Sequence, residues 1–341
     1  LRIALVTGGG DSSAINAAIR SVVHKCYAEN YEVIGIKRGW RGLVLDEVEP
    51  LFLGSVKGIL QAGGTILGSS RTNPFKMDHG VENVIVNLRK HGIDAIIAIG
   101  GEDTNGVAHR LAEQGVKCVG VPQTIDNDLR GTDYSIGFDT AASVAMDALD
   151  KLHTTAAAHH RVMVLEVMGR DSGWIALLGG IAGGADTILV PEVPFTLEEI
   201  EKRIEHRRAM NRDYSIVVVS EGAKPAGMEA QQVRDQKKDD FGHVRLGGIG
   251  EWLAYELEQK TGYETRVTHL GHLQRGGTPT LFDRLLATRL GEHAVEMVKR
   301  GEFDHMACMS ENKVTSVPYS EALAGKKTID LSLYELAKVF Y

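Results

Sequence analysis

The chain has 341 residues, 43% hydrophobic and 24% charged, enough for two domains that each bury a core. A net charge of −7 without a basic stripe argues against nucleic acid as a partner. No apolar run reaches the roughly 18 residues of a membrane span, and Cys26, Cys118 and Cys308, odd in number and widely spaced, read as core thiols of a cytoplasmic protein.

In chain order, the apolar run Ile3–Val6 predicts a buried strand that ends on the glycine turn Gly8-Gly9-Gly10-Asp11. A helix over about Ser13–Glu29 follows. Further strands are expected at Ala95–Ile99, Lys117–Val121, Val162–Val167, Ile216–Ser220 and Arg266–His269. Helical stretches alternate with them at Asn105–Gln114, Gly173–Gly179, Leu197–Met210, Gly250–Gly262 and Thr280–Arg300. This alternation predicts βαβ units, hence an α/β fold with mostly parallel sheets. The stretch Gly222–Gly248, with its charged run Arg234–Asp240, reads as a solvated loop or short hairpin within a domain.

The unusual residues gather at strand ends, where open α/β sheets bind ligands. Gly8-Gly9-Gly10-Asp11 lets backbone N–H groups approach a phosphate at a helix N-terminus. It is no dinucleotide fingerprint: Ser13 takes the third glycine slot, and Lys37-Arg38 stand where a ribose-binding acid belongs. Ala324-Gly325-Lys326-Lys327-Thr328 lacks the first glycine and the spacing of a P-loop. Gly100-Gly101-Glu102-Asp103 suits Mg²⁺ shared between one or two acids and ligand phosphates, or a helix cap made by Asp103 or Thr104. In Thr124-Ile125-Asp126-Asn127-Asp128 the two aspartates are two apart, so an extended segment projects both to one side; an Asx-rich turn is the alternative. Arg71, Arg161, Arg170, Arg266 and Arg275, with His272, lie at loop or strand ends, as guanidinium groups that grip phosphates do.

Thr124-Ile125-Asp126-Asn127-Asp128, Met168-Gly169-Arg170 and Gly271-His272-Leu273-Gln274-Arg275-Gly276-Gly277, in that order, resemble the 6-phosphofructokinase family over nearly the whole chain. The flanking phrases look most like the actinobacterial-like branch that includes pyrophosphate users. The resemblance implies the phosphofructokinase fold: two Rossmann-like three-layer domains. A donor-phosphate domain would take 1–137 plus about 276–322, and a fructose 6-phosphate domain about 138–275 plus 323–341. It implies phosphoryl transfer from pyrophosphate, or ATP, to the sugar 1-hydroxyl, a glycolytic step needing Mg²⁺. Asp126 would be the base, with Thr124 and Arg170 steadying the phosphoryl group in flight. Glu102, Asp103 and Asp128 would surround Mg²⁺, while Gly10, Arg71, Asp103 and Gln123 would face the donor. Met168, Gly169, Glu221 and Arg275 would hold the sugar and the transferred phosphate, beside Thr124, Asp126 and Asp128. His272 would bind the 6-phosphate with Arg161 and Arg266 from a neighbouring subunit, which implies a homodimer or homotetramer.

Three places depart from the usual family pattern, all on the donor side. Ser12-Ser13-Ala14 replace a small residue, Pro and Gly; Gln123 stands where ATP enzymes have Gly and pyrophosphate enzymes Lys; Asp103 matches pyrophosphate users, where ATP users have Gly. Pyrophosphate is therefore the favoured donor. An ATP-dependent enzyme is the alternative, and a catalytically impaired regulatory subunit the reading from another class. Intact Asp126, Asp128 and Arg170 argue against the latter.

Overall fold

The computed structural model describes residues 1–227, 233–235 and 245–341. In chain order the elements are β1 (Arg2–Thr7), α1 (Ile15–Ala28), β2 (Glu32–Ile36), α2 (Trp40–Val44), β3 (Val48–Leu51), α3 (Gly80–Lys90), β4 (Ala95–Gly100), α4 (Glu102–Ala112), β5 (Cys118–Pro122) and α5 (Phe138–His159). They continue with β6 (Val162–Val167), α6 (Trp174–Ala182), β7 (Thr187–Leu189), α7 (Leu197–Ala209), β8 (Ser215–Ser220), β9 (Val233–Asp235), β10 (Arg245–Leu246), α8 (Ile249–Thr261) and β11 (Thr265–His269). The last are α9 (Leu281–Arg300), β12 (His305–Ser310), β13 (Lys313–Pro318), α10 (Tyr319–Ala322) and α11 (Leu331–Lys338).

The chain divides into two units. The first takes Leu1–Thr140 and Arg275–Lys326; the second takes the described residues between Ala141 and Gln274 together with Lys327–Tyr341. Among the described residues the chain passes between units after Thr140, Gln274 and Lys326.

In the first unit seven strands form one sheet in the order β13-β12-β5-β4-β1-β2-β3. All pair in parallel except β3 and β13, antiparallel at the two edges. Successive residues of a strand point to opposite faces, and both faces are covered. Ile3, Leu5, Ile97, Ile99, Val119 and Val121 pack with α1 and α9. Ala4, Val6, Ile96, Ala98 and Cys118 pack on the other side with α2, α3, α4 and α10. That double burial explains why the central strands read as continuous apolar runs. β12 and β13, absent from the expected elements, join through Glu311 and Asn312, both with positive φ, the two-residue turn whose twist suits a hairpin.

The second unit has a parallel sheet in the order β11-β6-β8-β7. Val162, Val164, Val217 and Val219 pack under α7 and α8. Met163, Leu165, Ile216 and Val218, on the opposite face, are also buried, and α6 packs on β7 and β8. The antiparallel pair β9–β10 falls within the expected loop or hairpin; most of the run Arg234–Asp240 lies outside the described residues. All three cysteines are buried and free, and burial pushes the Cys26 thiol up to about 12. Among the described residues no helix is long and apolar enough to cross a membrane.

Candidate active site

The first group of candidate residues follows β1, β4 and β5. The order β2-β1-β4 puts the reversal of winding between β1 and β4, the ligand crevice of open α/β sheets. Gly8 N–H donates to Ile99 O at 3.0 Å and ties the loops after β1 and β4 together. A Cβ on Gly8 would stand 2.7 Å from Thr104 Oγ1, and one on Gly100 would stand 2.5 Å from Thr104 Cβ. These two glycines are required by the packing of Thr104. Gly10 is small for another reason: a Cβ there would lie 2.6 Å from Arg275 Nη1, and that nitrogen donates to Asp11 O at 2.9 Å. Arg275, expected with the sugar, is thus laid along the loop after β1. Ser12 and Ser13 are buried. Ser13 Oγ donates to Gly276 O at 2.8 Å, and Ser12 fills the space beside Gly137, whose added Cβ would come within 2.2 Å of it. Opposite Arg71, Ser69 Oγ donates to Gly9 O at 2.6 Å and Gly9 N–H to Ser70 O at 3.1 Å, so this exposed arginine sits on a loop fastened to the glycine turn.

Helix α4 begins without a side-chain cap. Its N-cap is Gly101, and Glu102 and Asp103 occupy the first turn; the expected cap by Asp103 or Thr104 is therefore corrected. Two carboxylates there complement the positive end of the helix dipole. Asn105, fully buried, donates to Gly100 O at 2.7 Å and Gly101 O at 3.1 Å, and holds the turn from below. Gln123 is buried, and its Nε2 donates to Gly10 O at 3.1 Å.

The Asp126–Asp128 segment is a turn, not the expected extended run. Asn127 has φ +51, a left-handed conformation that asparagine tolerates. Its Oδ1 accepts from Ser135 N–H at 2.9 Å, and Thr124 Oγ1 accepts from Asp126 N–H at 3.2 Å. The turn still crowds the acids: burial, with the charges of Asp126 and Glu102, pushes Asp128 up to about 6 against the pull of Lys326. Asp126 Oδ1 and Gln123 Oε1 are buried without a hydrogen-bond partner. Among the described residues no three His, Cys, Asp or Glu side chains stand together as a metal cage, so Glu102, Asp103 and Asp128 are not a preformed trio.

The second group follows β6, β8 and β11 in the other unit. After β6, Gly169 has φ +147 and Arg170 φ +51. The Glu221 carboxylate, just past β8, faces the Gly169 and Arg170 N–H groups at 3.4 and 3.2 Å. It fixes the turn that carries Met168, Gly169 and Arg170. His272 is exposed in the 3₁₀ turn Gly271–Arg275 after β11, anchored by Gln274, which is fully buried and donates to Gly271 O at 3.1 Å. Arg161 and Arg266 lie at the opposite, amino-terminal end of β6 and β11. β6 therefore separates Arg161 from Arg170 by its full length of six residues, about 20 Å.

A match to the phosphofructokinase family spans residues 2–298. The chain belongs to the phosphofructokinase family. It is 52% identical to the pyrophosphate–fructose 6-phosphate 1-phosphotransferase of Amycolatopsis methanolica, over all of both chains. It is 47% identical to ATP-dependent 6-phosphofructokinase 3 of Streptomyces coelicolor, over 99% of each. Among solved structures, the pyrophosphate-dependent phosphofructokinase of Marinobacter aquaeolei superposes with a TM-score of 0.83 at 25% identity, covering 97% of this chain and 86% of that one. The mostly parallel sheets flanked by helices are this family's fold.

Sequence reasoning missed residues that hold the loops without facing a ligand. Asp283, fully buried, accepts from Gly137 N–H at 2.9 Å and Thr140 N–H at 2.8 Å, fixing the segment that leads into α5. Glu192 accepts from Gly173 N–H at 3.0 Å, just before α6. Their partners are backbone groups far along the chain, which no local pattern announces.

Proposed function

We propose that the protein is a pyrophosphate-dependent 6-phosphofructokinase, moving a phosphoryl group from pyrophosphate to the 1-hydroxyl of fructose 6-phosphate. The observation that carries this reading is the acid-crowded turn after β5, next to β4 and tied through Gln123 to the loop after β1 at the switch point, in a chain 52% identical to a pyrophosphate enzyme. Asp126, with an unpartnered buried oxygen, takes the proton of the sugar 1-hydroxyl; the sugar O1 forms the new bond to a phosphorus of pyrophosphate, and the bond to the leaving phosphate breaks. Positioned bases of this kind contribute about 10²–10⁴ in rate. Thr124 and Arg170 steady the transferring group, where electrostatics supply most of the catalysis.

Mg²⁺ fits the residues present. It is commonly bound through one or two carboxylates with phosphate oxygens completing its shell, so no three-acid cage is needed. The burial and like charge that raise Asp128 and the orphaned oxygens of Asp126 and Gln123 would be relieved by a cation. Glu102, Asp103 and Asp128 would hold it, and it would neutralise charge on the donor phosphates. Gly10, Arg71, Asp103 and Gln123 face the donor. Met168, Gly169, Glu221, His272 and Arg275 serve the sugar phosphate with Asp128. Arg161 and Arg266, at the far end of their strands from Arg170, serve a neighbouring subunit's 6-phosphate in a homodimer or homotetramer.

Initial rates with fructose 6-phosphate and Mg²⁺, given pyrophosphate or ATP, test the reading. Turnover with pyrophosphate alone is expected. A preference for ATP would favour the second reading, to which the 47% identity with an ATP-dependent relative lends support.

A further inference from the structure

Arg161 and Arg266 come from neighbouring strands, and one carboxylate lies between them. Glu264 immediately precedes β11, whose first residue pairs in register with the first residue of β6, Thr265 beside Val162. Its carbonyl accepts from Val162 N–H at 3.0 Å, so the backbone at this point is fixed to β6. Glu264 Oε2 lies 2.7 Å from Arg161 Nε, and Oε1 accepts from Arg266 Nη2. Each oxygen of the carboxylate thus pairs with one guanidinium, Arg266 by a hydrogen bond and Arg161 by an ion pair that lacks hydrogen-bond geometry. The other groups facing this cluster are Glu258, 3.9 Å from Arg266 Nη1, the Thr265 carbonyl, which accepts from Arg266 Nη1 at 3.1 Å, and His159, whose charge acts on Glu264 with those of the arginines.

We infer that Glu264 is a positioning residue: it holds Arg161 and Arg266 side by side as one anion-binding fork. An arginine side chain has several rotatable bonds, and ordering it on binding is costly. A carboxylate that already pins two guanidiniums removes part of that cost. Each guanidinium has five N–H donors, so one ion pair with Glu264 leaves each able to take part in binding a phosphate dianion, the geometry in which paired arginines bind best. An exposed ion pair by itself stabilises a fold by only about 0–1 kcal/mol, so folding gives little reason for two such pairs on one acid.

This inference rests on the reading that places Arg161 and Arg266 at a sugar 6-phosphate. The test compares Glu264→Gln with Arg161→Ala in steady-state assays with pyrophosphate, alongside mass by sedimentation and thermal melting. Glu264→Gln is expected to raise KM for fructose 6-phosphate about tenfold, the scale of one charge-assisted hydrogen bond. kcat, KM for pyrophosphate, mass and melting temperature should stay near the unmodified values. An unchanged or lowered KM in Glu264→Gln, while Arg161→Ala raises it, would overturn the positioning role and leave the arginine reading standing. Dissociation of Glu264→Gln would make it an interface residue and equally overturn the inference. If Arg161→Ala itself leaves KM unchanged, the placement of the arginines fails and the inference with it.

Discussion

At the carboxyl edge of the seven-stranded sheet, Gly8, Gly10 and Gly100 lie under Thr104 and Arg275, with no room for a Cβ. At the same edge of the four-stranded sheet, the loops hang on carboxylates: Glu221 faces the Gly169 and Arg170 N–H groups, and Glu166, at the end of β6, accepts from Gly250 N–H at 2.7 Å. Both edges use both devices: at the first, Asp283 also collects the Gly137 and Thr140 N–H groups, and at the second, a Cβ on Gly169 would lie 2.4 Å from Ser172 O, but tight glycines outweigh carboxylates at the first and carboxylates outweigh them at the second. A steric fit survives any replacement that preserves the shape, and Ser12-Ser13-Ala14, Gln123 and Asp103 all lie at the first edge. A carboxylate collecting N–H groups, as Glu221 does, has no isosteric substitute that keeps the charge.

The largest effect should come from the acid turn of the first edge. Asp126→Asn keeps the shape and loses the base, so kcat should fall by about 10²–10⁴, while fructose 6-phosphate binding measured by calorimetry stays within about twofold. Retention of more than about a tenth of the activity would contradict the role.

Asp103→Gly tests whether that edge selects the donor. A carboxylate about 4 Å from a nucleotide's α-phosphate costs about 4 kcal/mol at an effective dielectric near 20. ATP-dependent turnover should therefore rise by up to about three orders of magnitude, with pyrophosphate turnover reduced. Gln123→Lys, placing a charge where the amide now donates to Gly10 O, should lower KM for pyrophosphate. If neither substitution moves the donor preference, selection lies elsewhere.

The pH dependence of stability gives the next effect. Asp128, pushed from 3.8 up to about 6, is destabilising when ionised. Above its folded pKa the protein carries the full cost, and as pH falls through 6 towards 3.8 the cost disappears. Asp128→Asn in the metal-free protein should thus add up to about 3 kcal/mol above pH 6 and nothing below about pH 4. Denaturant unfolding at pH 7.5 and pH 4 measures both. An equal effect at the two pH values would show that burial does not act on its charge.

Glu221→Gln addresses the second edge and should have the smallest effect. Replacing a charged acceptor of two backbone N–H groups costs about 1–2 kcal/mol, loosening a turn in which Arg170 already sits at positive φ. A drop in kcat/KM of about fivefold to thirtyfold is expected. A second substitution, Arg170→Lys, should then add less than it does alone, since the turn no longer aims the side chain.

How much was legible follows from which contacts are local. The alternation of buried runs and helices was readable because a strand covered on both faces must be apolar throughout, as Ile3–Val6 and Ile96–Ile99 are. Family strings such as Thr124–Asp128 named the candidate residues, because chemistry restricts residue type at strand ends. Tertiary structure decided the rest. Gly8 and Gly100 answer to Thr104, Gly10 to Arg275, and Glu221 to the turn after β6, partners brought together only by sheet order. The turn at Asn127 replaced an extended segment because Ser135, eight residues on, supplies its hydrogen bonds. The family resemblance implied that Arg161 and Arg266 act together, but the sequence could not show Glu264 between them. The parallel register of β6 and β11 puts Glu264 beside Arg161 and two residues before Arg266, so one carboxylate reaches both guanidinium groups.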